Sequence, residues 1–149
     1  MAANNLTPKK LFFSNIEIPS SNIFYLRKYV FAFVNLKPFS KGHVLLCPIR
    51  IEKKYKDLNE IEAIELWISA VKIASNLKKY YNTDRVNIAI QDGELAGQTI
   101  PHCHIHIIPI INNNTLLENK LIDDKDKKER SAEDMEKEAI DYKSKFVLN

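Results

Sequence analysis

Cysteine is scarce in these 149 residues, a strong charge of either sign is missing, and no long apolar run occurs. Each absence excludes something. Two cysteines, Cys47 and Cys103, stand far apart without a CxxC spacing, so the chain has no disulfide framework and reads as a protein with reduced thiols. A formal net charge of +3 is too small and too scattered to argue for nucleic acid, although it suits an anionic ligand. No stretch of 18 apolar residues is present, and the start, MAANNLTPKKLFF, has no apolar core of signal-peptide length. The expectation is a soluble cytoplasmic protein, compatible with nuclear presence, with neither membrane nor nucleic acid as partner. What remains is ordinary globular composition, 45% hydrophobic and 28% charged, in a length that fits one domain over 1–149.

Residues 22–35, NIFYLRKYVFAFVN, are rich in aromatic and β-branched side chains and predict two strands joined around Arg27 and Lys28. KPFSKGH (37–43) is a connection, and HVLLCPIR (43–50) is apolar enough for a central strand. The clearest helix begins near Asn59, which can cap it, with Glu62 completing a capping box. It runs to about Tyr81–Asn82, and Ile61, Ile64, Trp67, Val71, Ala74 and Leu77 predict a core-facing stripe. RVNIAIQDG (85–93) alternates, with Val86, Ile88 and Ile90 on one face, ELAGQT (94–99) is a loop, and IPHCHIHIIPI (100–110) is a strand. The polar, charge-dense segment 112–130 is predicted mobile. Residues 131–147 predict a second helix with Met135, Ala139, Tyr142 and Phe146 on one stripe. The sum is an α+β fold, an antiparallel β-sheet with one long helix and a C-terminal helix.

Three of the four histidines, His102, His104 and His106, alternate along one apolar run. In an extended strand they share a face, about 7 Å apart, with roughly 13 Å between the outer two. Three readings compete. A His-x-His pair can chelate zinc, but a third histidine about 13 Å away cannot comfortably join the same ion. Histidines on the solvated face of an edge strand need no partner, yet three in alternation behind a glycine-containing loop are unusual decoration. The third reading is nucleophilic attack on phosphorus, for which neutral imidazole is competent because its ordinary pKa is about 6.5. The middle residue attacks to give a phosphoramidate, and its neighbours contact phosphate oxygens or assist the leaving group.

HCHIHII also matches the pattern His-φ-His-φ-His-φ-φ, with φ apolar, and so resembles the histidine-triad superfamily of nucleotidyl hydrolases and transferases. QDGELAGQTIPHCHIHIIP and FAFVNLKPFSKGHVLLCPIR are similar, more narrowly, to the fragile-histidine-triad (Fhit) branch. The likeness is strong from about Phe31 to Pro109. It implies hydrolysis of dinucleoside polyphosphates, diadenosine triphosphate giving AMP and ADP, by a homodimer. It further implies His104 as the nucleophile, His106 at the scissile phosphate and leaving group, His102 as a support for the row, and His43 as a buttress from the neighbouring strand. Asn35 and Gln91 match nucleotide-contacting positions, and Gly97, Gln98, Thr99 and Ile100 match the loop that wraps the phosphates. The family works with Mg2+ or Mn2+ on the substrate phosphates; no metal-binding residues of the protein itself are expected.

The chain departs from that pattern in places. No tyrosine lies between Tyr81 and Tyr142, so the loop tyrosine of animal Fhit proteins is missing, which bears on regulation and leaves the chemistry alone. The segment from Asn112 to Arg130 is rewritten. Two other functions share these motifs. A Hint-like nucleoside phosphoramidase is shorter and typically carries Ser where Thr99 stands. A nucleotide-sensing module would keep the same site and signal in its substrate-bound form.

Overall fold

Alternation of side chains along three central strands decides the layering. The computed structural model describes residues 9–111 and 127–148. After a short hairpin of β1 (Leu11–Phe13) and β2 (Ile16–Ile18) come β3 (Ile23–Leu26), β4 (Val30–Val34) and β5 (Val44–Pro48). Helix α1 (Glu60–Tyr80), β6 (Val86–Ile90), β7 (Ile105–Pro109) and α2 (Ala132–Lys145) complete the chain order. The last five strands form one sheet in the order β3-β4-β5-β7-β6, every neighbouring pair antiparallel.

Strands β4, β5 and β7 are buried throughout, so both sheet faces are covered. Val30, Ala32, Val34, Val44, Leu46, Ile105 and Ile107 point to one face and pack with α1 and α2. Phe31, Phe33, Leu45 and Cys47 point to the other and meet Leu11 and Phe13 of the hairpin. A strand that alternates aliphatic and aromatic residues thus serves two cores at once. The histidines lie on the hairpin side: the Phe13 ring centroid is 4.9 Å from that of His104 and 5.5 Å from that of His102.

Helix α1 starts as expected. The Asn59 side chain accepts from the Glu62 amide and the Glu62 carboxylate accepts from the Asn59 amide, a complete capping box. The predicted stripe needs correction. Ala74 and Leu77 are buried, but Ile61, Ile64, Trp67 and Val71 are exposed, and the face on the sheet is Glu62, Leu66, Ser69, Ala70, Ile73, Ala74 and Leu77. The helix is apolar on two sides, and two polar residues on the inner one have partners: Arg50 bonds Glu62, and the Tyr25 hydroxyl lies 2.8 Å from that of Ser69. Polar burial with partners is tolerated, and it disguised the true core face. Helix α2 follows its predicted stripe, with Met135, Ala139, Tyr142 and Phe146 all buried. The stretch predicted mobile, 112–130, falls outside the described residues over 112–126.

Candidate active site

The register of β5 with β7 pairs Val44 with Ile107, Leu45 with His106 and Leu46 with Ile105. His43, just ahead of β5, therefore reaches diagonally across to His106 on the hairpin face. The predicted strand 100–110 begins only at Ile105, which corrects the expectation of one extended row. The reason lies in where the backbone donors go. Pro101 has none, the His102 amide bonds back to the Ile100 carbonyl at 2.8 Å, and the Cys103 amide bonds the Glu52 carbonyl at 2.7 Å. His102 consequently sits in a bend ahead of the strand, while the rings of His104 and His106 meet edge to face with centroids 4.7 Å apart.

Backbone groups fix the tautomer of each ring, because an amide only donates and a carbonyl only accepts. The Phe39 amide donates to Nδ1 of His43 at 2.8 Å, so the proton of His43 is on Nε2. That Nε2–H donates to Nδ1 of His106 at 2.9 Å, which places the proton of neutral His106 on its own Nε2. The Ser14 amide donates to Nδ1 of His102 at 2.9 Å, and His102 Nε2–H donates to the Pro48 carbonyl at 2.8 Å. His104 is set the other way round. Its Nδ1–H donates to the His102 carbonyl at 2.6 Å, so Nε2 carries the lone pair. One ring thus presents a nucleophilic nitrogen and its neighbour a donor.

Burial keeps the supporting rings neutral. His43 is held down at about 3, mainly by burial, with Lys127, His104 and Arg130 adding to it. His106 falls to about 2 for the same main reason, helped by His104, His43 and Lys127. His102 is lowered by burial too, against the opposing pull of the Pro48 carbonyl. His43, His102 and His106 are therefore uncharged at neutral pH, in keeping with these proton positions. The two thiols take no part: burial pushes Cys103 up to about 11 and Cys47 well above its ordinary value.

His104 opens onto a cavity of about 510 Å³ whose walls include Phe13, Ile16, Ile18, Phe33 and Leu45. Asn35, Thr99 and Ile100 line it as well. Asn35 directly follows β4, where its Oδ1 accepts from the Lys37 amide at 3.0 Å and its Nδ2 stands 3.4 Å from Nε2 of His43. The glycine loop lies beside the histidines. Gly97 has φ +97°, a conformation that favours glycine, and a Cβ there would meet Nε2 of Gln91 at 2.5 Å. The Gln91 amide oxygen is buried with no hydrogen-bond partner among the described residues. The Gln98 side chain braces the loop itself, accepting from the Gly93 amide at 2.9 Å and donating to the carbonyls of Lys53 and Ile100. Sequence reasoning brought together the four histidines but missed the groups that orient them, the Ser14 and Phe39 amides and the Pro48 carbonyl. Two short apolar runs around Ser14–Asn15 were the available signal for the hairpin.

The chain that carries this histidine relay has relatives among known proteins. The HIT domain family model matches residues 15–113, and the chain belongs to that family. Among similar proteins, the bis(5'-adenosyl)-triphosphatase of Dictyostelium discoideum is 44% identical over 136 residues, covering 89% of this chain and 90% of that one. The Arabidopsis thaliana bifunctional bis(5'-adenosyl)-triphosphatase/adenylylsulfatase FHIT is 37% identical, covering 90% of this chain and 83% of its own. In structure, the chain resembles Plasmodium falciparum diadenosine triphosphate hydrolase in complex with cyclomarin A, with TM-score 0.80 and 37% identity. That match covers 96% of this chain and 88% of the other.

Proposed function

We propose that this protein hydrolyses dinucleoside polyphosphates, diadenosine triphosphate to AMP and ADP, through a nucleotidyl-histidine on His104. One observation carries the reading: the Nδ1–H···O=C bond from His104 to His102 leaves the lone pair on Nε2 of His104, a ring that lines the cavity. Attack by Nε2 on the α-phosphorus forms the N–P bond as the P–O bond to ADP breaks. The Nδ1 proton stays in place, and its carbonyl partner stabilises the positive charge that develops on the ring. His106, with its proton on Nε2, donates to the phosphate and the departing oxygen. Water then opens the phosphoramidate, releasing AMP and restoring neutral His104.

The apolar walls suit a nucleobase. The Asn35 and Gln91 amides suit ribose hydroxyls or phosphate oxygens, and Gly97, Gln98, Thr99 and Ile100 form the loop for the phosphates. Among the described residues no group of three His, Cys, Asp or Glu is arranged to hold a metal ion. Mg2+ or Mn2+ belongs in this reading to the substrate phosphates. Among the described residues no helix is long and apolar enough to cross a membrane, and a cytoplasmic site of action is proposed. A homodimer is proposed as well. The outward face of α1 exposes Ile61, Ile64, Trp67, Ile68 and Val71, and β6 is an edge strand. Together they offer a self-complementary surface.

A substrate panel tests the activity: diadenosine tri- and tetraphosphate, an AMP phosphoramidate and adenylyl sulfate, each with wild type and His104→Asn. The reading expects diadenosine triphosphate to be cleaved fastest by wild type and not detectably by the variant. Phosphoramidate as the preferred substrate would move the protein to the Hint-like class. Bound-state lifetimes far longer than a turnover would favour a sensor.

A further inference from the structure

Arg130 lies far along the chain from the motifs, yet it grips one of them. Its Nε and Nη2 donate to the Asn35 carbonyl at 3.0 and 2.8 Å, and its own amide donates to the Leu36 carbonyl at 3.0 Å. The remaining guanidinium nitrogen, Nη1, pairs with Glu138 of α2. Glu138 accepts in turn from the Tyr142 hydroxyl at 2.8 Å, and Tyr142, fully buried, shares a 2.7 Å bond with the Tyr81 hydroxyl. The guanidinium thus ties the β4–β5 connection to the C-terminal helix. The fork is held from both sides, and only 24% of the Arg130 side chain is exposed.

The orientation of the peptide after Asn35 sets where the Asn35 side chain can reach. With its carbonyl held by two charge-assisted bonds, the peptide cannot rotate without breaking both. The Asn35 amide is then left between the Lys37 amide, the His43 ring and the cavity. We propose that Arg130 is a positioning residue for nucleotide recognition, clamping the Asn35 carbonyl to Glu138 so that the Asn35 side chain is preset at the cavity. The proposal rests on the reading of that cavity as a nucleotide site. A lysine cannot reproduce the clamp, because a point charge lacks the planar fork.

The experiment measures AMP binding by calorimetry and steady-state kinetics on diadenosine triphosphate, for Arg130→Met, Arg130→Lys, Glu138→Gln, Asn35→Ala and the Asn35→Ala/Arg130→Met pair. Loss of preset contacts to charged donors corresponds to about tenfold weaker AMP binding and about tenfold higher KM for Arg130→Met, with kcat held within about twofold. Arg130→Lys should recover part of the loss. The double variant should bind AMP no more weakly than Asn35→Ala alone, since the clamp acts through that residue. Should Arg130→Met fail to fold, Glu138→Gln, which keeps the arginine and the shape, gives the same readout. Unchanged KM and AMP affinity with a lowered kcat would mark a merely structural role and overturn the proposal, as would additive losses in the double variant. Wild type that does not bind AMP at all would overturn the nucleotide reading of the cavity, and with it the proposal.

Discussion

Lowering the pH from 7.5 to 5 should destabilise the fold through the same buried histidines that make the relay. His43 is held at about 3 and His106 at about 2 in the folded protein, against an ordinary value of 6.5. Above pH 6.5 neither the folded nor the unfolded chain protonates them, so they contribute no pH dependence. Below it the unfolded chain binds protons that the folded chain refuses, and stability falls with pH until the folded values are approached. At about 1.4 kcal/mol per pH unit, the 1.5 units from 6.5 to 5 cost roughly 2 kcal/mol for each ring and roughly 4 kcal/mol for both. That is a large part of the about 5–15 kcal/mol of a typical domain. Glu62 does not confuse the result. Its hydrogen bonds from Arg50 lower its pKa below 4.5, so its contribution is lost only beneath that window. Urea titrations at pH 7.5, 6 and 5 read the effect directly, and the double variant His43→Asn/His106→Asn should lose the part of the slope due to these two rings, the lowered His102 keeping its own share. Equal midpoints at pH 7.5 and 5, or the same slope in the double variant, would show that the buried rings do not resist protonation.

Other perturbations report on the scaffold. Gly42 has φ +84°, and a Cβ there would meet Tyr81 Cε2 at 2.6 Å and the Pro109 ring at 2.7 Å. Gly42→Ala should therefore lose about 3 kcal/mol in chemical denaturation, from backbone strain plus overpacking, and a change under about 0.5 kcal/mol would contradict the packing. Trp67→Asp/Ile64→Asp alters the outward face of α1 along with the Trp67 bond to the Tyr55 hydroxyl, and sedimentation should report a monomer where wild type sediments as a dimer. A wild-type monomer at micromolar concentration with full activity would remove the dimer reading.

The histidine cluster is legible because its pattern is local in sequence. Three alternating histidines, the Lys–Pro connection after Asn35 and a glycine loop each announce a geometry over a few residues. Asn59 and Glu62 likewise declared the start of α1, since a capping box is a contact across three residues. The stripe on α1 is ambiguous in sequence because the helix carries two apolar faces. The one that suits a core by composition, Ile61 to Val71, lies outside, while Glu62 and Ser69 are buried against Arg50 and Tyr25. The strand was drawn too long because no local rule shows that the Cys103 amide is claimed by Glu52. Least legible were the long-range donors, the Ser14 amide 88 residues from His102 and Arg130 95 residues from Asn35. Backbone groups and a distant arginine leave no spacing in the sequence, yet they determine which histidine nitrogen holds the proton and where the Asn35 side chain stands.

Trapping the intermediate decides whether Nε2 of His104 attacks phosphorus. Rapid-quench mass spectrometry on diadenosine triphosphate, followed by peptide mapping, should find one AMP per chain on His104 during turnover. The adduct should be absent from His104→Asn, which should still bind AMP because the cavity walls and the glycine loop remain. Turnover in that variant should fall by several orders of magnitude. His104 unmodified throughout turnover, or an adduct on His102 or His106 instead, would contradict the account.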